Sequence, residues 1–276
     1  MRSAVAQSIT DELFLKHPEW DVQAGEGGRQ NCAADACLHV DSLAGAIEAG
    51  SPDVFGDYAR WTARMLGSRG INAHTLGENF ARLGKHLSER LLPEEHKTVE
   101  IFLARGREAC MQIEPVSESQ PLGGSLGDIR EAFLAAILSG QRQASLKVIE
   151  DALSRGHGHV ELYVDVFSEA LRRVGVLWEM NKISVAQEHI ATSITQYAVA
   201  SIYPRLVTTA AHRGNMVVTG VSGELHQIGA NLVADAMEAN GWAVRFLGTN
   251  LPHSSILATI DEVSANVLCI SHHDCR

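Results

Sequence analysis

The chain has 276 residues, of which 45% are hydrophobic and 20% are charged, as in globular proteins with a hydrophobic core. Its formal net charge of −10 argues against direct binding to nucleic acid, because no cluster of Lys and Arg provides an electrostatic footprint. No apolar stretch approaches the ~20 residues of a membrane-spanning helix, and the N-terminus lacks the apolar core of a signal peptide. We therefore expect a cytoplasmic protein that contacts neither a membrane nor nucleic acid.

The first part of the chain is predicted to be helical. Residues 1–35 are polar and weakly periodic, which predicts a poorly ordered leader. Residues 36–112 have apolar residues at helical spacing, with Gly50 as a C-cap and Pro93 at the start of the last segment, and predict an N-terminal module of four helices. Residues 113–127 are rich in Pro, Ser and Gly and predict a linker.

The five cysteines are scattered, a pattern that suits reduced thiols better than a disulfide framework. Cys32, Cys37 and His39 are close in sequence and are candidate ligands of a metal ion. Their spacing matches no zinc pattern and no fourth ligand is obvious, so the metal site is the less favoured interpretation.

A second helical module of four helices is predicted for residues 128–213. Glu188 and His189 fall in it where Glu95 and His96 fall in the first module, and glycines end the helices at matching points. An internal duplication is the favoured interpretation, and the general similarity of four-helix bundles is the alternative.

Residues 214–276 follow a different pattern, in which three short β-branched runs alternate with two helical segments. Strands that alternate with helices predict a parallel sheet with right-handed crossover helices. The predicted fold is therefore mostly α, with two four-helix modules and a C-terminal α/β part.

The loop after the first predicted strand carries the residues of chemical interest, because ligands of parallel sheets bind beyond the carboxyl ends of the strands. Gly223 allows a sharp turn, and His226 lies just before the next helix. Glu224 is placed to accept a proton from one imidazole nitrogen, which makes the other nitrogen a better metal ligand. Gly229 leaves room at the helix start. A histidine in such a place is more often a surface residue or a cap, so both interpretations stand at this point.

The stretch GELHQIGANLVADAMEANGWAVRFLGTNLP resembles the cobalamin-binding domain shared by methionine synthase, corrinoid methyl carriers and CarH-type light sensors. The signature of that family is acidic-x-His-x-x-Gly, followed by Ser-x-Leu and Gly-Gly. Glu224, His226 and Gly229 match the first element, and Ser271 matches the serine, whereas His273 replaces the leucine. The resemblance implies that His226 is the lower axial ligand of cobalt and that Ser271 lines the groove for the nucleotide tail of the cofactor.

The segment LWEMNKISVAQEH resembles the helical bundle that caps the upper face of the corrin, with the closest motif in the CarH-type adenosylcobalamin photoreceptors. The resemblance implies that Trp178, Glu188 and His189 cover the upper ligand, with adenosylcobalamin as the favoured cofactor. Core packing of Trp178 and His189 is the alternative interpretation. Glu179 stands where those sensors carry a second histidine, which puts a bis-histidine photoproduct through that position in doubt; His189 is a conceivable substitute.

The resembled sheet is longer than the predicted one. Its Gly-Gly element and last strands have no counterpart here, so we expect a truncated flavodoxin-like or Rossmann-like sheet whose strand VLCIS is an open apolar edge. We expect that edge to pair in a homo-oligomer, or the residues to be part of a longer chain. A shortened groove favours a cofactor without a nucleotide tail, so haem or a bilin is the alternative, with Cys275, His272 and His273 as candidate ligands or attachment points.

Three functions follow from these observations. The first is a light-responsive cobalamin sensor that signals through its oligomeric state or through a regulatory protein partner. The second is a corrinoid methyl-carrier protein of a methyltransferase system. The third is an antirepressor-like regulator that binds haem, a bilin or no cofactor. No separate catalytic domain is visible, so the chain itself is not expected to be an enzyme.

Overall fold

The computed structural model describes residues 2–23, 25, 27–112, 126–206 and 213–272. They form two compact units, of which the N-terminal unit contains mainly residues up to 112 and the C-terminal unit mainly residues from 126 onward. No helix in the described part of the chain is long and apolar enough to cross a lipid bilayer. Residues 113–125 of the predicted linker, which spans 113–127, lie outside the described residues. A helix begins at Gly127, the last residue of that predicted linker.

The N-terminal unit is entirely helical in its described elements. Its helices are α1 (Arg2–Lys16), α2 (Trp20–Gln23), α3 (Gly28–Glu48), α4 (Pro52–Gly67), α5 (Ala73–Ser88) and α6 (Pro93–Ala109). Phe55, Phe80 and Leu103 lie buried at the centre of its core. Helices α4 and α6 approach closely at Gly106, where an added Cβ would lie 2.5 Å from the ring of Phe55. A glycine is therefore required at position 106 for this helix pair to close.

The poorly ordered leader predicted for residues 1–35 is wrong, because most of that segment is helical. Val5, Ile9 and Leu13 lie at a spacing of four residues on α1 and are buried in the core of the N-terminal unit. The helix is also held by an ion pair between Lys16 and Glu78, with 2.7 Å between Nζ and Oε2. The buried face of α1 contains the polar Thr10, and the apolar Leu15 is exposed, so the amphipathic character of the helix is weak in the sequence.

The Glu-His pairs of the two modules do not occupy equivalent positions relative to the starts of their helices. The carboxylate of Glu95 accepts a hydrogen bond from the backbone N–H of Leu92 at 2.8 Å and caps α6. In the second module the corresponding bond runs from the N–H of Ser184 to Gln187, at 2.9 Å, one residue before Glu188. When the caps are superposed the pairs are offset by one residue, so they no longer support the internal duplication, which stays a prediction.

The C-terminal unit combines a helical bundle with a small parallel sheet, which confirms the predicted fold class. The bundle comprises α7 (Gly127–Leu138), α8 (Arg142–Ser154), α9 (His159–Leu162), a π-helical turn (Tyr163–Ser168), α10 (Glu169–Glu179) and α11 (Val185–Leu206). The α/β part comprises β1 (Asn215–Gly220), α12 (Ile228–Ala239), β2 (Ala243–Phe246), α13 (His253–Glu262) and β3 (Val267–Ser271).

The described strands form a parallel sheet in the order β2-β1-β3, with Met216 of β1 opposite Val244 and Val267. Strand β1 is central and buried, as its continuous apolar run predicts. Strand β3 lies at one edge of the described sheet, where the side chains of Leu268 and Ile270 are 40% and 54% exposed. Pairing of this edge with another chain stays a prediction.

Helix α12 packs on both of its faces. Ala230 and Ala234 belong to the core beneath the sheet, whereas Leu232 belongs to the core of the helical bundle. The buried carboxylate of Asp235 accepts a hydrogen bond from the hydroxyl of Tyr163 at 2.9 Å, and burial raises the pKa of both groups. The bundle and the sheet are thereby joined through one helix, which begins directly after the loop that contains His226.

The metal site considered for Cys32, Cys37 and His39 is not present in the structure. No group of three His, Cys, Asp or Glu side chains in the described residues is arranged to hold a metal ion. His39 is instead buried, with its Nδ1 2.7 Å from the hydroxyl of Tyr58 and its ring against Phe80. Burial lowers the pKa of His39 to about 4, so the ring is a neutral part of the core.

Gly106→Ala is expected to destabilise the protein by about 1–3 kcal/mol, because the new methyl group overlaps the ring of Phe55. The matched control is Gly45→Ala in α3, where an added Cβ meets nothing within 4 Å. That change is expected to stabilise by roughly 0.5–1 kcal/mol through helix propensity. Urea denaturation of the two variants measures both effects, and a loss of stability of equal size in both would contradict the close approach of α4 and α6.

The free energy of unfolding is expected to fall as the pH is lowered from 6.5 to about 4, because His39 binds a proton in the unfolded chain before it does so in the folded one. The contribution of this residue across that interval is about 3 kcal/mol. His39→Gln removes the titrating group and should flatten the pH dependence in urea denaturation at pH 7, 6 and 5. An unchanged slope would show that His39 is not buried in its neutral form.

Candidate functional site

The loop between β1 and α12 lies at the carboxyl edge of the sheet and is shaped by two glycines. Gly223 has a φ of +85°, a left-handed conformation that favours glycine. Its N–H donates to Oδ1 of Asn250 at 2.9 Å, which joins this loop to the one after β2. At Gly220 an added Cβ would lie 2.5 Å from the side chain of Thr249, so the two loops approach closely there as well. The site is therefore built from two neighbouring loops that hold each other in place.

Glu224 and His226 form the predicted carboxylate–imidazole pair. The side chain of Glu224 is only 4% exposed, whereas that of His226 is 69% exposed. Oε1 of Glu224 lies 2.7 Å from Nδ1 of His226 and also accepts a hydrogen bond of 2.7 Å from the backbone N–H of the same residue. A carboxylate in this position favours the tautomer with the proton on Nδ1, which leaves the lone pair on Nε2. The exposed ring thus carries one nitrogen suited to a metal centre.

A second histidine contacts the same carboxylate. Nδ1 of His272 lies 3.5 Å from Oε2 of Glu224, and its side chain is 71% exposed. The sequence suggested His272 only as a companion of His273 and Cys275, and those two residues lie outside the described residues. The contact with Glu224 was missed. The feature that could have indicated this contact is the parallel pairing of β1 and β3, because it places the residues that follow both strands at the same edge of the sheet.

Ser271 and Gly229 lie at the same edge of the sheet. Ser271 is the last residue of β3 and stands opposite Gly220, and its carbonyl accepts a hydrogen bond of 3.1 Å from the N–H of Val221. Gly229 lies in the first turn of α12, and an added Cβ there would meet nothing within 4 Å. The space predicted at the helix start is therefore open, while the roles of both residues in binding stay predictions.

The residues predicted to cover the upper face lie in the helical bundle. Trp178 is half-buried near the end of α10. Glu188, in the first turn of α11, accepts a hydrogen bond from the hydroxyl of Thr192 at 2.8 Å and contacts Nδ1 of His189 through its other oxygen. His189 is exposed and borders an open groove of about 270 Å³ together with Arg142. The local arrangement gives His189 the same kind of carboxylate partner that His226 has.

Two family models match the C-terminal unit. A model described as a B12 binding domain matches residues 129–203, which include most of the helical bundle. A second model with the same description matches residues 214–274, which include the three strands and the Glu224–His226 loop.

These two stretches belong to the cobalamin-binding domain family.

Similar proteins include corrinoid proteins and methionine synthase. Trimethylamine corrinoid protein 1 of Methanosarcina acetivorans is 24% identical over 139 residues, which cover 49% of this chain and 64% of that protein, less than two thirds of its length. Methionine synthase of Mycobacterium tuberculosis is 23% identical over 212 residues, which cover 71% of this chain and 18% of that protein. The solved structure of the Methanosarcina barkeri monomethylamine corrinoid protein is 21% identical, covers 53% of this chain and 70% of that one, and has a TM-score of 0.47.

The residues of the two cobalamin-binding domains fit the cofactor that the family name implies. A lower ligand to cobalt requires an exposed, neutral imidazole nitrogen, which His226 presents when Glu224 holds its other nitrogen. The buried position of Glu224 keeps its carboxylate out of water and in contact with the ring. A Cβ added at Gly229 would meet nothing within 4 Å, so the start of α12 is not crowded at this position. These features fit a site in which His226 would hold a cobalt-containing cofactor, and this role of His226 stays a prediction.

Glu224→Gln is expected to weaken the binding of hydroxocobalamin by about 10–100-fold, the usual effect of removing the partner of a ligating histidine. The glutamine side chain keeps its size and loses the charge that orients Nδ1 of His226. Glu238→Gln is the matched control, because Glu238 lies on the adjoining helix α12 and is bonded to the hydroxyl of Tyr203. Spectrophotometric titration measures both affinities, and equal losses in the two variants would show that the effect is not specific to the loop.

Proposed function

We propose that the C-terminal unit binds cobalamin with His226 as the lower ligand and that the protein is a corrinoid methyl carrier serving a methyltransferase. The observation that carries the proposal is the exposed imidazole of His226, backed by the buried carboxylate of Glu224 at the carboxyl edge of a parallel sheet. The names of the relatives support the carrier, since they are a trimethylamine corrinoid protein and methionine synthase.

Each part of the C-terminal unit has a task in such a carrier. His226 binds the cofactor through Nε2, and Glu224 keeps that nitrogen in the lone-pair form. The loop contacts made by Gly223 and Asn250 hold the histidine backbone in place. Bound cobalamin supplies a cobalt centre that accepts and donates a methyl group. The bundle residues Trp178 and His189 are proposed to shield the opposite face from water. The partner is a methyltransferase, which delivers or removes the methyl group.

A light-responsive adenosylcobalamin sensor is the second candidate, and the spacing of Trp178, Glu188 and His189 favours it. In this function the helical bundle recognises which upper ligand the cofactor carries. Loss of that upper ligand in light then changes the oligomeric state or a contact with another protein. The relatives named above are corrinoid proteins and methionine synthase, so they favour the carrier. The match to B12 binding domains likewise favours cobalamin over haem or a bilin.

Titration of the full chain with methylcobalamin tests the proposal. The wild type is expected to give the absorption spectrum of cobalamin with a histidine in place of its own base, and His226→Ala should abolish that spectrum. His253→Ala is the matched control, because His253 is also exposed and begins a helix after a loop of the same sheet. A spectrum that is unchanged in His226→Ala would overturn the ligand assignment.

Two measurements, one with methylcobalamin and one with adenosylcobalamin, separate the carrier from the sensor. A carrier is expected to lose its methyl group to a thiol acceptor in the presence of a corrinoid methyltransferase. It should also show the same size in gel filtration with adenosylcobalamin before and after green light. Light-dependent assembly that is absent in Trp178→Ala, without methyl transfer, would instead establish the sensor.

A further inference from the structure

The carboxylate of Glu224 lies between two exposed imidazole rings. Its Oε1 holds both the backbone N–H and Nδ1 of His226, each at 2.7 Å, and its Oε2 lies 3.5 Å from Nδ1 of His272. The two oxygens of one buried group therefore face two different histidines. The family signature identifies only the first of these histidines, and the second lies directly after β3.

The backbone places His272 beside this carboxylate. Residues Gly220 and Ser271 are opposite each other in the parallel pair of β1 and β3, and the N–H of Val221 donates to the carbonyl of Ser271 at 3.1 Å. The N–H of Glu224 donates in turn to the carbonyl of Val221 at 3.1 Å. Two consecutive backbone hydrogen bonds thus connect the residue before His272 with Glu224.

The orientation of the carboxylate determines what His226 can do. A partial rotation about the last side-chain bond of Glu224 would move Oε1 out of line with the two donors of His226. A donor at Oε2 opposes this rotation, and a buried carboxylate is most stable when both oxygens face hydrogen-bond donors. The ring of His272 lies next to Oε2, with 3.5 Å between Nδ1 and that oxygen.

We propose that His272 is a positioning residue, which holds the second oxygen of Glu224 so that the first stays on His226 and keeps its Nε2 available as a ligand. This inference rests on the proposed binding of cobalamin through His226. It adds the residue directly after β3 to a site otherwise formed by the loops after β1 and β2.

The first test uses the full chain without cofactor. Nitrogen-15 NMR of the histidine side chains at one fixed pH reports the fraction of His226 with its proton on Nδ1. This fraction is expected to fall in His272→Ala and to recover in His272→Gln, whose amide N–H can still donate to Oε2. His253→Ala should leave it unchanged. Equal losses in His272→Ala and His272→Gln would overturn the proposal, because a donor at Oε2 would then be without effect.

The second test uses the same variants with cobalamin. The affinity for hydroxocobalamin is expected to fall about tenfold in His272→Ala, and the electron paramagnetic resonance spectrum of the reduced, cobalt(II) protein should keep the splitting from one nitrogen. His226→Ala should lose that splitting. If the splitting persists in His226→Ala and disappears only when His272 is also replaced, His272 is itself the ligand and the positioning role is wrong.

The outcomes distinguish the two proposals. A wild type that shows no histidine-ligated spectrum removes the proposed function, and this inference with it. A wild type with that spectrum, together with a His272→Ala variant that matches it in tautomer and affinity, removes only the inference.

Discussion

Helix α12 is the element on which the rest of the C-terminal unit depends, because it is buried from two sides. Its small residues Ala230 and Ala234 let it lie close to the sheet, and Leu232 fills the core of the bundle. The hydrogen bond from Tyr163 to Asp235 adds a directional contact inside this apolar packing. Removing one member of such a buried pair is costly, because the other polar group would then have neither a hydrogen-bond partner nor water. The helix therefore holds the bundle and the sheet in one arrangement.

The packing of α12 also restrains the candidate site, because the loop that contains His226 leads directly into this helix. Gln227 precedes the first turn of α12, and His226 precedes Gln227. The loop that contains His226 is therefore anchored at one end by a helix packed on two sides and at the other by the central strand. Between these anchors the loop is held by Gly223 through Asn250 and by the internal pair of Glu224 with His226. The exposed imidazole is thus carried by a segment with few degrees of freedom, as a positioned ligand requires.

Much of this could be predicted from the sequence, for reasons that are local. The strands and helices of the α/β part follow from β-branched runs separated by glycines and a proline, and the Glu224–His226 pair follows from a spacing of two residues. The contact of His272 with Glu224 depends on strand register between positions 48 residues apart, which local patterns do not determine. Helix α1 was missed because Thr10 interrupts its buried face and the apolar Leu15 is exposed, which weakens the helical pattern. The offset between Glu95 and Glu188 appeared only when each helix cap was located.

The π-helical turn Tyr163–Ser168 sets the angular relation between the two ends of the helical run from His159 to Glu179. A π-helical turn accommodates one residue more than an α-helical turn, and each residue of an α-helix advances the chain by about 100° around the axis. Relative to α10, Tyr163 therefore points in a direction that an unbroken α-helix would give to an adjacent residue, and this direction is toward Asp235 of α12. Converting this turn to α-helix with the same number of residues would rotate Trp178 about a quarter of a turn relative to Tyr163. The angular position of the aromatic residue near the end of α10 thus depends on the π-helical winding of a turn that begins fifteen residues before it.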